Sequence, residues 1–211
     1  MIHPLIRACM YRIGLTGNIA CGKSTVVAML QELGAAVCDA DAVVHQVQAP
    51  DGSAYLPIVE AFGLEIVHNQ TLGQPINRQA LGQIVFADQA QLRRLEALVH
   101  PAVRQHILAW LETQQQLRTK VVVIDAIKLI ESGYPAMCDA VWVVSADPAI
   151  QLARLIEHRG MSEAEALLRI NAQNSQADKI AVADVVIDNS GSLADARRQV
   201  EQAFLAIQRH D

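Results

Sequence analysis

The stretch Gly17-Asn18-Ile19-Ala20-Cys21-Gly22-Lys23-Ser24 constrains this chain more than any other part of its sequence. It fits the pattern G-x-x-x-x-G-K-S/T, and both flanks agree with it. Upstream, Tyr11 to Thr16 is a β-prone run. Downstream, Val26, Met29, Leu30 and Leu33 fall at i, i+3, i+4 and i+7 and stop at Gly34. That is the pattern of an amphipathic helix closed by a glycine. Strand, glycine loop and helix together make a phosphate-binding geometry. Gly17 and Gly22 open backbone conformations closed to residues with a Cβ, so that successive N–H groups turn inward around phosphate oxygens. The helix N-terminus adds partial positive charge, Lys23 adds a full one, and the Ser24 hydroxyl can ligate Mg²⁺. The expected ligand is a nucleoside triphosphate.

The 211 residues suffice for one sizeable core with room for inserted subdomains. The net charge is −5 and no Lys/Arg block stands out, so nucleic acid is not expected as a main partner. Cys9, Cys21, Cys38 and Cys138 show no C-x-x-C spacing, which argues against zinc and against a disulfide framework. Scattered single thiols suit a reducing cytosol. Met1 to Cys9 lacks a secretory-signal pattern and reads as an extension ahead of Tyr11, with Met10 as an alternative start. No apolar run approaches the ~18 residues of a membrane span. The expectation is a soluble cytoplasmic protein, its oligomeric state open between monomer and weak oligomer.

Further along, Ala35 to Cys38 reads as a short buried strand ending in Asp39-Ala40-Asp41, and helical patterns dominate from there to about residue 117. Asp88 can cap a helix with Leu92, Leu95 and Leu98 or Val99 on one face. Pro101 is expected to interrupt it and start another, bearing Val103, Ile107, Leu108 and Leu111. Val121 to Asp125 is a β-branched run of the kind buried on both faces of a parallel sheet. Ala140 to Val144 and Asp184 to Ile187 are two more strands. Between them Asp147-Pro148 gives an N-cap and a first-turn proline, and Ser162-Glu163-Ala164-Glu165 has the capping-box form. A helix from about Leu193 to Arg209 closes the chain. This alternation predicts an α/β fold with a doubly wound, mostly parallel five-stranded sheet.

In such sheets ligands sit at the carboxyl ends of the strands. That rule gathers the glycine loop, Asp39 with Asp41, and Asp125 around one cleft. Carboxylates beside a triphosphate repel it, so Mg²⁺ and a catalytic task give at least one of them a reason to be there. Otherwise Asp39 caps a helix and Asp125 merely ends a strand. Late in the chain Arg154, Arg159 and Arg169 lie on or between two helices, with Lys179 just beyond. Guanidinium groups on a closing segment would stabilise charge on a transferring phosphoryl group, with Gly160 as hinge. The alternative is a basic, solvated helix face.

Taken together these segments resemble dephospho-CoA kinase, from about Tyr11 to the C-terminal helix. The residues that carry the resemblance begin with Ile13 to Gly17 leading into the loop, Asp39-Ala40-Asp41 with His45, and His100-Pro101 with Arg104. They continue with Glu131-Ser132-Gly133, Arg154 and Arg159, Arg169 to Gln173, and Ala183 to Asn189. The resemblance implies a P-loop kinase core (about 10–41, 118–149 and 183–211) after an extension at 1–9. It also implies a helical acceptor-binding insertion (about 42–117) and a lid (about 150–182). The implied reaction moves phosphate from ATP to the ribose 3′-hydroxyl of dephospho-CoA, with Mg²⁺. By position Asp41 is the general base, Gly17 to Thr25 hold ATP, Ser24 binds Mg²⁺, and Arg154 faces the nucleotide. The resemblance further implies that adenine is held by backbone contacts at Asp188-Asn189-Ser190-Gly191. His45, Arg78, His100, Arg104 and Glu131 are candidates for the acceptor, although either histidine could instead fix a helix start and Arg78 and Arg104 could equally be surface residues.

The chain departs from the family pattern where Ile127-Lys128-Leu129-Ile130 stands for Pro-Leu-Leu-Phe, where Asn174-Ser175 stands for Met-Pro, and where Cys21 takes a common serine position. At a helix N-terminus the Cys21 thiol would be acidified and reactive, unless it is simply a small residue that fits. A different small-metabolite kinase shares most of these features. An NTP-driven switch would need a base-reading Asn/Thr-Lys-x-Asp motif, and Thr119-Lys120 lacks the aspartate.

Overall fold

The structure, a computed structural model, describes residues 10–208. The expected extension 1–9, with Cys9, and the expected helix end at Arg209 lie outside the described residues. The chain opens with β1 (Tyr11–Gly17), α1 (Lys23–Glu32) and β2 (Ala36–Asp39). Four helices follow: α2 (Ala40–Val47), α3 (Tyr55–Phe62), α4 (Arg78–Ala87) and α5 (Gln89–Gln116). Then come β3 (Val121–Asp125), β4 (Ala140–Ser145), α6 (Pro148–Arg159), α7 (Glu163–Asn171), α8 (Gln176–Ala181), β5 (Val185–Asp188) and α9 (Leu193–Gln208). Contacts divide the chain into two compact units, one running to Cys38 and resuming at Thr113, the other Asp39–Glu112.

The first unit is built on a parallel sheet in the order β2-β3-β1-β4-β5. β1 lies between β3 and β4, with Ile13 opposite both Val123 and Ala140. On one face Ile13, Leu15, Val123 and Trp142 join Val26 and Leu30 of α1 and Val200 and Phe204 of α9 in a core. Residues of the opposite parity, Val122, Ile124 and Val143, are also 0% exposed, so the strands are covered on both sides. That double burial is why β3 reads as an unbroken β-branched run rather than an alternating one. Each such aliphatic side chain contributes about 1.5–3 kcal/mol. α1 buries Val26, Met29 and Leu30 and stops where Gly34 takes a left-handed φ of 93°. There the Gly34 N–H bonds Gln31 O and the Ala35 N–H bonds Leu30 O, turning the chain into β2.

The capping signals hold in different degrees. The Ser162 box is complete: its hydroxyl accepts from the Glu165 N–H while the Glu165 carboxylate accepts from the Ser162 N–H. Asp147 stands at the N-cap of α6 with Pro148 in the first turn, but its side chain makes no cap bond. Its own N–H donates to Ser190 Oγ instead.

The second unit is helical, as its sequence pattern suggests. Tyr55, Ile58, Ile66, Val103 and Ile107 are its most buried apolar residues, all 0% exposed. Asp88 accepts from the Ala90 N–H at 2.7 Å and starts α5 as expected. Pro101 does not end that helix, contrary to expectation. α5 runs through it as one 28-residue helix. The ring removes one backbone donor, but Val99, Val103, Ile107 and Leu111 make a continuous buried stripe across the site. Burial of that stripe outweighs one lost hydrogen bond.

Candidate active site

β1 ends at Gly17 and α1 starts at Lys23, so residues 18–22 form the loop. The loop's two glycines are needed for different reasons. Gly22 is left-handed at φ 88°, and a Cβ there would run into the Asn189 carboxamide. Gly17 has no such φ, contrary to the expectation from sequence; a Cβ on it would instead meet Val144 O and Cys21 Sγ, each at 2.6 Å. The close β1–β4 register, with Gly17 opposite Val144, leaves no room for a side chain. Ala20 also turns left-handed at φ 57°. No side chain caps α1, and although the Thr25 N–H bonds Gly22 O, the helix start turns its partial positive charge towards an anion.

Lys23 leaves the first turn of α1 and pairs with Asp125 Oδ1 at the end of β3. Both are largely buried, with side-chain exposures of 17% and 10%. Asp125 therefore does more than end a strand: its carboxylate faces the loop's lysine. Ser24 is exposed on the same turn and Thr25 half-buried. A serine hydroxyl and one carboxylate are hard oxygen donors, and Mg²⁺ takes one or two of these alongside phosphate oxygens and water. The residues present fit that ion. Among the described residues no group of three or more His, Cys, Asp or Glu forms a separate metal site.

The loop is braced from later parts of the chain. Arg154 on α6 donates to Ala20 O at 3.2 Å and Asn189 O at 2.7 Å. Asn189, buried after β5, donates through its side chain to Cys21 O at 2.8 Å and through its backbone to Ser145 O. The Asn189 N–H is thus committed to Ser145 O, while its carbonyl, bonded once by Arg154, keeps a lone pair for a second donor. Past α7, Gln173 Oε1 accepts from the Ile19 N–H at 2.6 Å, and the Asn174 carbonyl accepts from the Asn18 side chain. Asn174 Nδ2 in turn donates to Glu131. Lys179 on α8 is 4% exposed, and its ammonium donates to Ile127 O at 3.0 Å. Arg159 and Arg169 are exposed.

The sequence names Gln173 and Asn174 through the resemblance and Lys179 beside the arginine-bearing segment, but gives none of the three a place at the loop. Lys179 stands just beyond a segment that reads as either a closing lid or a solvated basic face, yet it is buried. No periodicity marks it, because its neighbours Ile180 and Val182 are themselves 37% and 54% exposed. Cys21 is 1% exposed, and burial pushes its thiol up from the ordinary value against the opposing pull of Lys23. It is a small residue that fits rather than an acidified nucleophile.

The remaining candidates lie in the helical unit. Asp39 caps α2, accepting from the Ala42 N–H at 3.0 Å, so it has the bland role. Asp41 lies in the first turn of α2 and His45 in its last. Arg78 starts α4, and its Nη1 lies 3.2 Å from His45 Nε2, which brings those two together. The guanidinium is always a donor, so the histidine nitrogen accepts. His100 and Arg104 are one turn apart on α5, on the same side of the helix.

The family model described as dephospho-CoA kinase matches residues 11–195. A protein named dephospho-CoA kinase from Symbiobacterium thermophilum is 50% identical over 194 residues, 92% of this chain and 80% of its own length. Two solved structures are also similar. TT1252 from Thermus thermophilus has a TM-score of 0.80 and 31% identity, covering 93% of this chain and 97% of its own. Dephospho-CoA kinase from Campylobacter jejuni has a TM-score of 0.69 and 26% identity, covering 94% and 98%. With that coverage, and with a P-loop braced as described, this chain belongs to the dephospho-CoA kinase family.

Proposed function

We propose that this chain transfers the γ-phosphoryl group of ATP to the ribose 3′-hydroxyl of dephospho-CoA, giving CoA and ADP, the last step of CoA biosynthesis. The observation that carries the proposal is the half-buried Lys23 at the start of a helix with no side-chain cap, facing Asp125, in a chain of this family. Phosphoryl transfer needs alignment and charge stabilisation rather than covalent chemistry, and the loop supplies both. Amides between Gly17 and Thr25 hold the phosphates, and Lys23 exchanges its contact with Asp125 for one with phosphate oxygens. Mg²⁺, when bound through Ser24, screens the phosphate charge. Arg154, already bonded to Ala20 O, fixes the loop's rim beside the nucleotide.

Asp41 is the base that takes the proton of the acceptor hydroxyl. His45 with Arg78, His100 with Arg104, and Glu131 hold the acceptor, whose phosphates suit cationic partners. In this reading residues 42–117 are the acceptor-binding insertion and 150–182 the lid that excludes water, the competing nucleophile. The scattered cysteines Cys21, Cys38 and Cys138 suit a reducing compartment, and the cytosol is the proposed location. Among the described residues no helix is long and apolar enough to cross a membrane.

Mass spectrometry of dephospho-CoA incubated with ATP, Mg²⁺ and the protein is the direct test. The expected result is a gain of one phosphate. Transfer to AMP or another monophosphate, with none to dephospho-CoA, would replace this reading with that of a different small-metabolite kinase.

A further inference from the structure

Lys179 is a cation that the packing does not need. It is 4% exposed on the short helix α8, and among the described residues its ammonium has one hydrogen-bond acceptor, the Ile127 carbonyl. An ammonium carries three donors, and burying it with a single neutral acceptor is unfavourable. The carbonyl does not require it either, because Thr16 Oγ1 also donates to Ile127 O at 3.0 Å. An apolar side chain of the same length would leave that carbonyl satisfied.

Its surroundings explain the charge better than the fold does. Thr16 immediately precedes Gly17 of the phosphate loop, and Ile127 lies two residues past Asp125, the partner of Lys23. Upstream on its own segment, Gln173 and Asn174 are bonded to Ile19 and Asn18 of the loop. Burial lowers the pKa of the ammonium from its ordinary value, with the Glu131 carboxylate opposing and the Lys23 charge adding to the effect. Lys23, Lys179 and Arg154 all act on Cys21 of the loop, against the carboxylates of Asp125 and Glu131, and among the described residues Lys179 has no ion-pair contact. The cations outnumber these carboxylates, which suits an anion.

We propose that Lys179 is a second phosphate-directed cation of this site: one N–H holds Ile127 O and the other two meet phosphate oxygens. The inference rests on the phosphoryl-transfer reading above and adds a cation that reading does not use. Phosphate oxygens come from either of two sources, the nucleotide triphosphate or the phosphate groups of dephospho-CoA.

Lys179→Met keeps the length of the side chain and removes its charge. ATP and dephospho-CoA are titrated separately into wild type and variant by calorimetry, and both proteins are melted. The variant is expected to keep or raise its melting midpoint, since a poorly partnered buried charge is gone. It is expected to lose about tenfold to a hundredfold in affinity, as removal of charge-assisted hydrogen bonds implies. A loss for ATP assigns the triphosphate, and a loss for dephospho-CoA assigns the acceptor. Unchanged affinity for both, in a variant that melts normally, overturns the proposal. Should the variant not fold, the Lys179 Nζ resonance of the wild type decides: a shift on saturation with either ligand supports the inference, and no shift with both overturns it. Wild-type protein that binds neither ligand overturns the transfer reading and this inference with it, a result distinct from a wild type and variant that bind equally.

Discussion

At the scale of single residues, the phosphate loop concentrates its requirements on a few atoms. Gly22 needs both a left-handed backbone and the space beside Asn189, so no other residue satisfies the position without strain. Lys23 is held by Asp125, and in the proposed reaction the phosphates compete for it. Lys23→Ala is expected to lower turnover by about 10²–10³ in a steady-state assay, the worth of one well-placed charge in a dry site. Near-normal turnover would remove the role assigned to it. Asp41→Asn should separate binding from chemistry: ATP titrates as in wild type, while phosphate transfer to dephospho-CoA falls to background. A variant that still transfers at the normal rate places the base elsewhere. Cys21 and Cys138 are thiols at neutral pH, Cys138 being pushed by burial up to about 12.

At the scale of elements, local capping and cross-strand ties do separate work. The capping box at the start of α7 stabilises the segment proposed as a lid. Ser162→Ala is expected to cost about 1 kcal/mol of helix stability. Hydrogen exchange should accelerate across α7 while the amides of β3 stay protected, and uniform acceleration would contradict a local effect. Between strands, Arg12 of β1 grips Asp139, just before β4, through Nη2 to Oδ1 at 2.7 Å and Nε to Oδ2 at 3.0 Å. Burial raises the Asp139 pKa, but the Arg12 hydrogen bonds and charge outweigh it and hold the carboxyl below its ordinary value. A depressed folded pKa means stability present above the unfolded value, about 4, and lost as pH falls through the folded one. The melting midpoint of Asp139→Asn should therefore fall less steeply below about pH 4 than that of wild type. Parallel curves would show that the pair contributes nothing to acid sensitivity. α5 shows a tolerance of the same kind, carrying Pro101 because its buried stripe continues on both sides.

At the scale of the whole molecule, ligand binding and folding are one equilibrium. A ligand present at 100 times its dissociation constant adds about 2.7 kcal/mol to the stability of the folded state. ATP should thus raise the melting midpoint of wild type, and the increase should shrink in Lys23→Ala; an equal increase in both proteins would mean that the nucleotide is held elsewhere. The sequence by itself determined the strand–loop–helix motif, the five strands and their parallel class, the capping box, and the family resemblance through Asp39-Ala40-Asp41 with His45 and Ala183–Asn189. Each of these is written in residues close together in the chain, where periodicity, glycine placement and β-branching act directly. What only the tertiary structure decided comes from segments far apart in sequence. It paired Asp125 with Lys23, set Gln173 on the Ile19 amide, buried Lys179 against Ile127, and turned Cys21 inward. It also carried α5 through Pro101. No local pattern encodes these, because desolvation and hydrogen-bond pairing depend on which distant segment arrives beside a group once the sheet has formed.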